Sequence, residues 1–193
     1  MQLLLLQPVL HADRELVEVA ATLRWSPLTV VFALVSAWWV KGPLFVLAGL
    51  VSDLRARAWP VTALAVTGSV LLASLASGML KEAFDRARPP VADPDFAAAV
   101  AVPGSPSFPS GHASTAFAAA AALAVLVPRL RVVAFAVAAA VAVSRVYLGV
   151  HYAIDVMAGA ALGIVLGLAI GAVVRRAVAA RARAVAAADV HAV

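Results

Sequence analysis

Residues 61–80, VTALAVTGSVLLASLASGML, decide the fold class because twenty consecutive positions carry no charged side chain. An α-helix of about 20 apolar residues is long enough to cross the hydrocarbon layer of a bilayer. Over the whole chain, 64% of the 193 residues are hydrophobic and 13% are charged, whereas a soluble domain carries about 25% charged residues. The sequence therefore predicts an integral membrane protein.

Other apolar runs on both sides of this stretch predict further helices, over residues 110–127, 132–150 and 152–174. The run over residues 27–51 is broken by Lys41, Gly42 and Pro43. We interpret it as two short, tilted helices, with one long kinked helix as the alternative. The predicted fold class is all-α: a polytopic membrane helix bundle with about six transmembrane helices.

The ends of the chain differ in character from this bundle. Residues 1–24 are predicted to be an interfacial N-terminal segment, because residues 13–24 have the pattern of a short amphipathic helix. Residues 25–175 form the predicted transmembrane domain. Residues 176–193, rich in Ala and Arg, are predicted to be a cytoplasmic tail, either as a surface helix or as a disordered segment.

Arginines gather after the apolar runs and predict the orientation in the membrane. With six spans the three clusters fall on one side, which the positive-inside rule makes cytoplasmic. Both termini would then be cytoplasmic, and residues 81–109 and 148–152 extracytoplasmic. Topology thus explains the net charge of +5, and no nucleic acid partner is expected. The clusters are Arg55 and Arg57, Arg129 and Arg131, and Arg175, Arg176, Arg181 and Arg183.

Three polar segments lie on the predicted outer side: KEAFDRARP at residues 81–89, PSGH at 109–112 and SRVYLGVHYAID at 144–155. Lys81, Arg88 and Arg145 gather positive charge there with few nearby anions, which favours an anion site. Guanidinium groups match phosphate oxygens in shape, and Lys adds a point charge. The helix predicted to begin at Ser110 offers free backbone N–H groups to a phosphate, and Gly111 permits close approach.

Two histidines in these segments predict the chemistry. His151 and Asp155 are four residues apart and share a helix face if the last span begins just before them, so the carboxylate can fix the imidazole tautomer and support a positive charge. His112 could protonate a leaving alkoxide. Two histidines in a cradle of cations are able to transfer a phosphoryl group without a metal. The spacing continues through Gly159, Gly163, Gly167 and Gly171, which predicts a close-packed seam that carries His151 and Asp155 into the bundle.

The three segments resemble the signature of the type 2 phosphatidic acid phosphatase (PAP2) superfamily, K-x6-R-P, P-S-G-H and S-R-x5-H-x3-D, with every spacing matched. The resemblance covers roughly residues 25–175. It implies six helices, a covalent phosphohistidine intermediate, and neither metal nor other cofactor. His151 resembles the nucleophile, Asp155 the residue that orients it, and His112 the general acid. Arg86 and Asp85 are not motif positions and receive no role. The implied phosphate-binding set is Lys81, Arg88, Ser110, Gly111 and Arg145.

The resemblance therefore implies a membrane enzyme that removes phosphate from a lipid phosphate or diphosphate, and the small size of the chain favours a prokaryotic plasma membrane. Its substrate would be a polyprenyl diphosphate, phosphatidic acid, phosphatidylglycerophosphate or a polyprenyl-phosphosugar phosphate. The bilayer and this lipid are the expected partners. A lipid phosphotransferase is an alternative function, and a non-catalytic binder of anions or lipids is a second one. The sequence leaves the oligomeric state and the role of loop 89–109 open.

Overall fold

The computed structural model describes residues 2–191, and these residues fold into helices joined by turns and loops, with no strand among them. The prediction of an all-α fold is confirmed. Pro128–Leu130 forms a short 3-10 helix before α7. The α-helices are α1 (Gln2–Thr22), α2 (Ser26–Val35), α3 (Pro43–Arg55), α4 (Val61–Phe84), α5 (Pro89–Ala92), α6 (Gly111–Leu126), α7 (Arg131–Tyr147) and α8 (Ala153–His191).

Three helical stretches are long and apolar enough to cross a membrane: Val61–Ala92, Pro128–Tyr147 and Ala153–Ala188. Helices α2 and α6 are apolar but shorter. The fold is thus a polytopic membrane bundle, as predicted, and the count of six spans is approximate. The tail predicted over residues 176–193 is not separate from the last span: α8 continues through it without a break as far as His191.

Helix α6 forms the centre of the bundle, where it packs against α4, α7 and most extensively α8. Most of its buried side chains are alanines with no exposed surface. Opposite them, α8 presents glycines where a Cβ would overlap the α6 backbone: at Gly163 with the Ser114 carbonyl and at Gly167 with the Ala118 carbonyl. The predicted seam of small residues is therefore a real packing surface.

Helices α2 and α3 are separate, as the favoured interpretation predicted, but together they pass through the bundle once. Helix α2 begins beside the end of α7, where the Thr29 and Tyr147 hydroxyls are 3.3 Å apart. Helix α3 ends at the start of α4, where the Asp53 carboxylate accepts a 3.0 Å hydrogen bond from the Ala63 N–H. Helices of 10 and 13 residues are each too short to cross alone.

The arginine clusters and residues 13–24 lie at opposite ends of the bundle. The three arginine clusters lie at one end of the bundle, as expected, since Asp53 lines one cavity with Arg129 and another with Arg175 and Arg181. Residues 13–24 lie at the other end, where the Arg24 Nε donates a 2.9 Å hydrogen bond to the Tyr147 carbonyl. The predicted orientation of the two termini counted residues 27–51 as two crossings, and it stays a prediction.

The seam between α6 and α8 gives a test of the packing. Gly163→Ala should lower the unfolding midpoint in detergent by about 5 °C, because overpacking costs about 1–3 kcal/mol, and each kcal/mol shifts the midpoint of a chain of this size by about 2–4 °C. Gly68→Ala on α4 is the control, because a Cβ there meets nothing within 4 Å. It should leave the midpoint unchanged or raise it. Equal midpoints for the two variants would contradict the close approach.

Candidate active site

The predicted site residues meet at the end of the bundle that faces away from the arginine clusters. Lys81 lies in the last turn of α4, Ser110 caps α6 just before Gly111, and Asp155 lies in the first turn of α8. The Ser110 N–H donates a 2.9 Å hydrogen bond to the Asp155 carbonyl, and a Cβ on Gly111 would lie 4.0 Å from Lys81 Cε. Segments far apart in sequence therefore converge, as predicted.

His151 is held at both ring nitrogens. Its Nδ1 is 3.5 Å from Asp155 Oδ2, and its Nε2 is 3.1 Å from Arg88 Nη1. A guanidinium can only donate hydrogen bonds, so Nε2 offers its lone pair and Nδ1 carries the proton, which points to the carboxylate. The nitrogen suited to nucleophilic attack thus faces a cation, and the other nitrogen faces an anion.

The state of the His151 ring follows from its burial. Only 1% of the residue is exposed, and this burial, with the nearby charges of Arg88 and Arg145, lowers the pKa of His151 to about 4. The hydrogen bond to Asp155 acts in the opposite direction but is the smaller effect. At neutral pH the imidazole is therefore neutral and keeps the lone pair that a nucleophile needs.

Backbone carbonyls of the loop before α6 hold two of the cations in place. The Arg88 Nε donates a 2.8 Å hydrogen bond to the Ser105 carbonyl, and Arg88 Nη1 donates one of 2.7 Å to the Val150 carbonyl. The Lys81 Nζ lies 2.5 Å from the Pro106 carbonyl oxygen. The second half of loop 89–109 thus orients the cations around the site.

Among the cations of the predicted phosphate-binding set, Arg145 has a buried hydrogen-bond donor without an acceptor in the described residues. It is 5% exposed, and its Nη1 donates to the Ser36 hydroxyl from the turn after α2. Its Nε is buried and finds no acceptor within residues 2–191. A buried charged donor without an acceptor is costly, so this N–H suits an anion that binds beside it.

His112 and Ser110 lie at the start of α6. The Ser110 hydroxyl caps the helix by accepting a 3.5 Å hydrogen bond from the Ala113 N–H, so Ser110 has the structural role of an N-cap. His112 follows in the first turn, close enough to His151 and Arg145 to interact with them electrostatically. The first N–H groups of α6 and the second imidazole therefore belong to the same end of the bundle as His151.

The structure adds residues that the motifs did not indicate. The Ser107 hydroxyl is 2.5 Å from Asp155 Oδ2 and 3.4 Å from His151 Nδ1. Arg86, which received no role from the sequence, lies 2.6 Å from Asp155 Oδ1 through its Nη1. The outward position of Arg86 beside the motif cations was the only signal for it. Nothing in the local sequence marked Ser107.

No cluster of metal-ligating type accompanies these residues. In the described part of the chain, no three His, Asp or Glu side chains are grouped so that they could hold a metal ion together. The polar groups of the site are instead one acid, two imidazoles and several cations, a set that suits an anion.

The sequence profile of the PAP2 superfamily matches residues 62–179. This chain belongs to the PAP2 superfamily. The matched range includes the three segments that meet at His151, so family membership and geometry point to the same residues.

The curated relatives are bacterial phosphatases. A lipid A 1-phosphatase from Rhizobium etli is 41% identical over 100 residues, which are 49% of this chain and 43% of the relative. A decaprenylphosphoryl-5-phosphoribose phosphatase from Mycolicibacterium smegmatis is 38% identical over 128 residues, which are 64% of this chain and 63% of the relative. The matches thus span less than two thirds of the length of these relatives.

Two crystal structures share the fold over most of the chain. A transmembrane PAP2-type phosphatidylglycerolphosphate phosphatase from Bacillus subtilis superposes with a TM-score of 0.73 at 29% identity and covers 88% of both chains. LpxE from Aquifex aeolicus superposes with a TM-score of 0.67 at 25% identity and covers 81% of this chain and 92% of its own. The helical arrangement is therefore that of membrane PAP2 proteins.

The unpaired Nε of Arg145 gives a binding test. Arg145→Gln should weaken the affinity for orthovanadate by about 10-fold to 100-fold, because hydrogen bonds to a charged group contribute about 1.5–3 kcal/mol. Arg129→Gln is the matched control, since Arg129 is exposed at the opposite end of the bundle. Affinity is measured by titration calorimetry in detergent. Equal affinities for both variants would exclude Arg145 from the anion site.

Proposed function

We propose that this chain is a metal-independent lipid-phosphate phosphatase that works through a phosphohistidine on His151. The main support for the proposal is that the His151 ring has a charged partner at each nitrogen. The Asp155 carboxylate lies beside Nδ1, and Arg88 Nη1 lies 3.1 Å from Nε2. A phosphate bound to that guanidinium would lie directly in front of the Nε2 lone pair. Proximity and charge balance would then both favour attack on phosphorus.

In the first step, Nε2 forms a bond to phosphorus and the bond from phosphorus to the lipid oxygen breaks. His112 enters this step as an imidazolium beside the phosphate of the bound substrate, gives its extra proton to the leaving oxygen as general acid, and becomes neutral. The positive charge that His151 gains is balanced by Asp155. Charge on the phosphoryl oxygens is stabilised by the phosphate-binding set, which consists of Lys81, Arg88, Arg145, the Ser110 hydroxyl and the Gly111 N–H at the start of α6.

In the second step, a water molecule attacks phosphorus and the bond to Nε2 breaks. His112, left without its proton after the first step, accepts one from this water. Inorganic phosphate leaves, and the Nε2 lone pair of His151 is restored with the proton still on Nδ1. No step needs a metal ion, because the cations of the protein neutralise the phosphoryl group.

The substrate class is inferred from the relatives and from the position of the site. The names of the relatives specify lipid A, decaprenylphosphoryl-5-phosphoribose and phosphatidylglycerolphosphate, each of which joins a phosphate to a lipid. The site lies at one end of an apolar bundle, so a head group could reach it while the tail remains in the bilayer. A terminal phosphate on a membrane lipid is therefore the proposed substrate.

The arginine clusters support an extracytoplasmic position for the site. They lie at the opposite end of the bundle, and the positive-inside rule assigns that end to the cytoplasm. Under this proposal, residues 25–175 form the catalytic membrane domain. Residues 13–24 lie on the extracytoplasmic surface with the site, and the arginine-rich continuation of α8 lies on the cytoplasmic side.

His151→Ala is the direct test of the proposal. In detergent with EDTA present, it should lower phosphate release from lipid phosphates by at least about a thousandfold, as removal of a nucleophile does in other enzymes. It should also abolish the acid-labile, alkali-stable label that wild type acquires from substrate carrying ³²P. The substrates are lipid A, phosphatidylglycerophosphate, phosphatidic acid and a polyprenyl diphosphate.

The matched control is His11→Ala, which removes an exposed histidine of α1 and should retain full activity and label. Normal phosphate release by purified His151→Ala would refute the nucleophile. Loss of wild-type activity in EDTA, restored by a divalent metal, would refute the metal-independent mechanism. Transfer of label to added alcohols in place of water would show a phosphotransferase.

A further inference from the structure

A chain of ion pairs leads from the candidate active site to the N-terminal helix. The Arg86 guanidinium lies between two carboxylates, with Nη1 at 2.6 Å from Asp155 Oδ1 and Nη2 at 2.8 Å from Asp13 Oδ2. The side chains of Asp155 and Asp13 are 0% and 1% exposed, and that of Arg86 is 22% exposed. Arg86 also covers the ring of Tyr152, with its guanidinium carbon 4.1 Å from the ring centre.

Asp13 also contacts the backbone of α8. Its Oδ1 accepts a 3.0 Å hydrogen bond from the Ile154 N–H, one residue before Asp155. The same carboxylate thus holds the first turn of α8 with one oxygen and Arg86 with the other. Since Asp13 belongs to α1, helix α1 is fixed against the element that carries Asp155.

Because Arg86 binds one oxygen of Asp155, the two oxygens of this carboxylate have different partners. Its side chain takes Oδ1, which leaves Oδ2 for His151 Nδ1, the Ser107 hydroxyl and the Tyr152 N–H. The backbone carbonyl of Arg86 also accepts a 2.7 Å hydrogen bond from the Ser107 N–H. Arg86 therefore fixes the carboxylate with its side chain and the serine beside it with its main chain.

The ion-paired side chains balance the positive charge that His151 gains only when Asp13 is counted with them. Arg86 by itself would neutralise Asp155 and leave little negative charge to support His151 once its Nε2 bonds to phosphorus. Asp13 adds a second negative charge, so the three side chains together carry a net charge of −1. That charge matches the single positive charge which the imidazole gains in the first step.

We propose that Arg86 and Asp13 are positioning residues for phosphoryl transfer, and that they act through Asp155 to orient His151 and balance its charge. Helix α1 is thereby part of the active-site assembly. Neither residue belongs to the three motifs, and neither touches the reacting atoms. The inference rests on the proposed phosphohistidine mechanism.

Asp13→Asn removes the charge but keeps the shape and an oxygen that can accept from the Ile154 N–H. It should lower kcat by about tenfold, within the range of couplings in one hydrogen-bonded network. KM should stay within about twofold, because Asp13 does not contact substrate. Glu15→Gln is the matched control, since Glu15 is an exposed acid on the same helix, and its kcat should equal that of wild type.

Variants of Arg86 test whether Asp13 acts through it. Arg86→Gln should lower kcat at least as much as Asp13→Asn, and Arg86→Lys should recover part of the loss because it restores a positive charge beside Asp155. The double variant Asp13→Asn/Arg86→Gln should be no slower than Arg86→Gln alone. All values of kcat are expressed per folded protein, from the monodisperse fraction in gel filtration.

A purely structural role would lower the unfolding midpoint and the yield while kcat per folded protein stayed normal, and that result would overturn the inference. The inference would also be overturned if the fold-loss of kcat in the double variant equalled the product of the fold-losses in the two single variants. If Arg86→Gln does not fold, Asp13→Asn and Arg86→Lys still decide the question. Normal kcat in Asp13→Asn with an inactive His151→Ala refutes this inference alone, whereas an active His151→Ala refutes the proposed function.

Discussion

The Asp155 carboxylate has no exposed surface, and the structure around it follows from the need to pair a buried charge. An uncompensated buried charge costs several kcal/mol. Here the charge meets an arginine, a serine hydroxyl, a backbone N–H and an imidazole. These partners come from the segment after α4, the loop before α6 and the turn before α8. Satisfying one carboxylate therefore brings together the stretches of chain that supply the proposed catalytic groups.

Close approach of α6 and α8 is the second requirement, because it brings the Ser110 N–H to the Asp155 carbonyl at 2.9 Å. Lipid tails are as apolar as the helix surfaces, so helices in a bilayer associate through packing and polar contacts rather than through a hydrophobic driving force. Alanines on α6 and glycines such as Gly159 on α8 provide that packing. The same seam that holds the bundle together thus sets the register between the start of α6 and the start of α8.

Local patterns in the sequence predicted the helical membrane fold, the convergence of the motif residues and the pairing of His151 with Asp155. The two side chains do not share a helix face, however, because α8 begins at Ala153 and His151 lies in the turn before it. The path of residues 27–51 was harder to predict, because two short apolar helices look alike whether they make one crossing or two. Asp13 could not be found, because its partners Arg86 and Ile154 are distant in sequence and the acid resembles any charge on an amphipathic helix. The assignments of nucleophile, acid and phosphate ligands remain predictions.

A structure of the protein with bound orthovanadate would test the central claim, that three distant segments enclose one anion in front of His151. Vanadium should lie at covalent distance from His151 Nε2, with Arg88, Arg145 and Lys81 on the vanadate oxygens and His112 on the opposite side. Vanadate bound to His112 instead, or bound away from both imidazoles, would contradict the account.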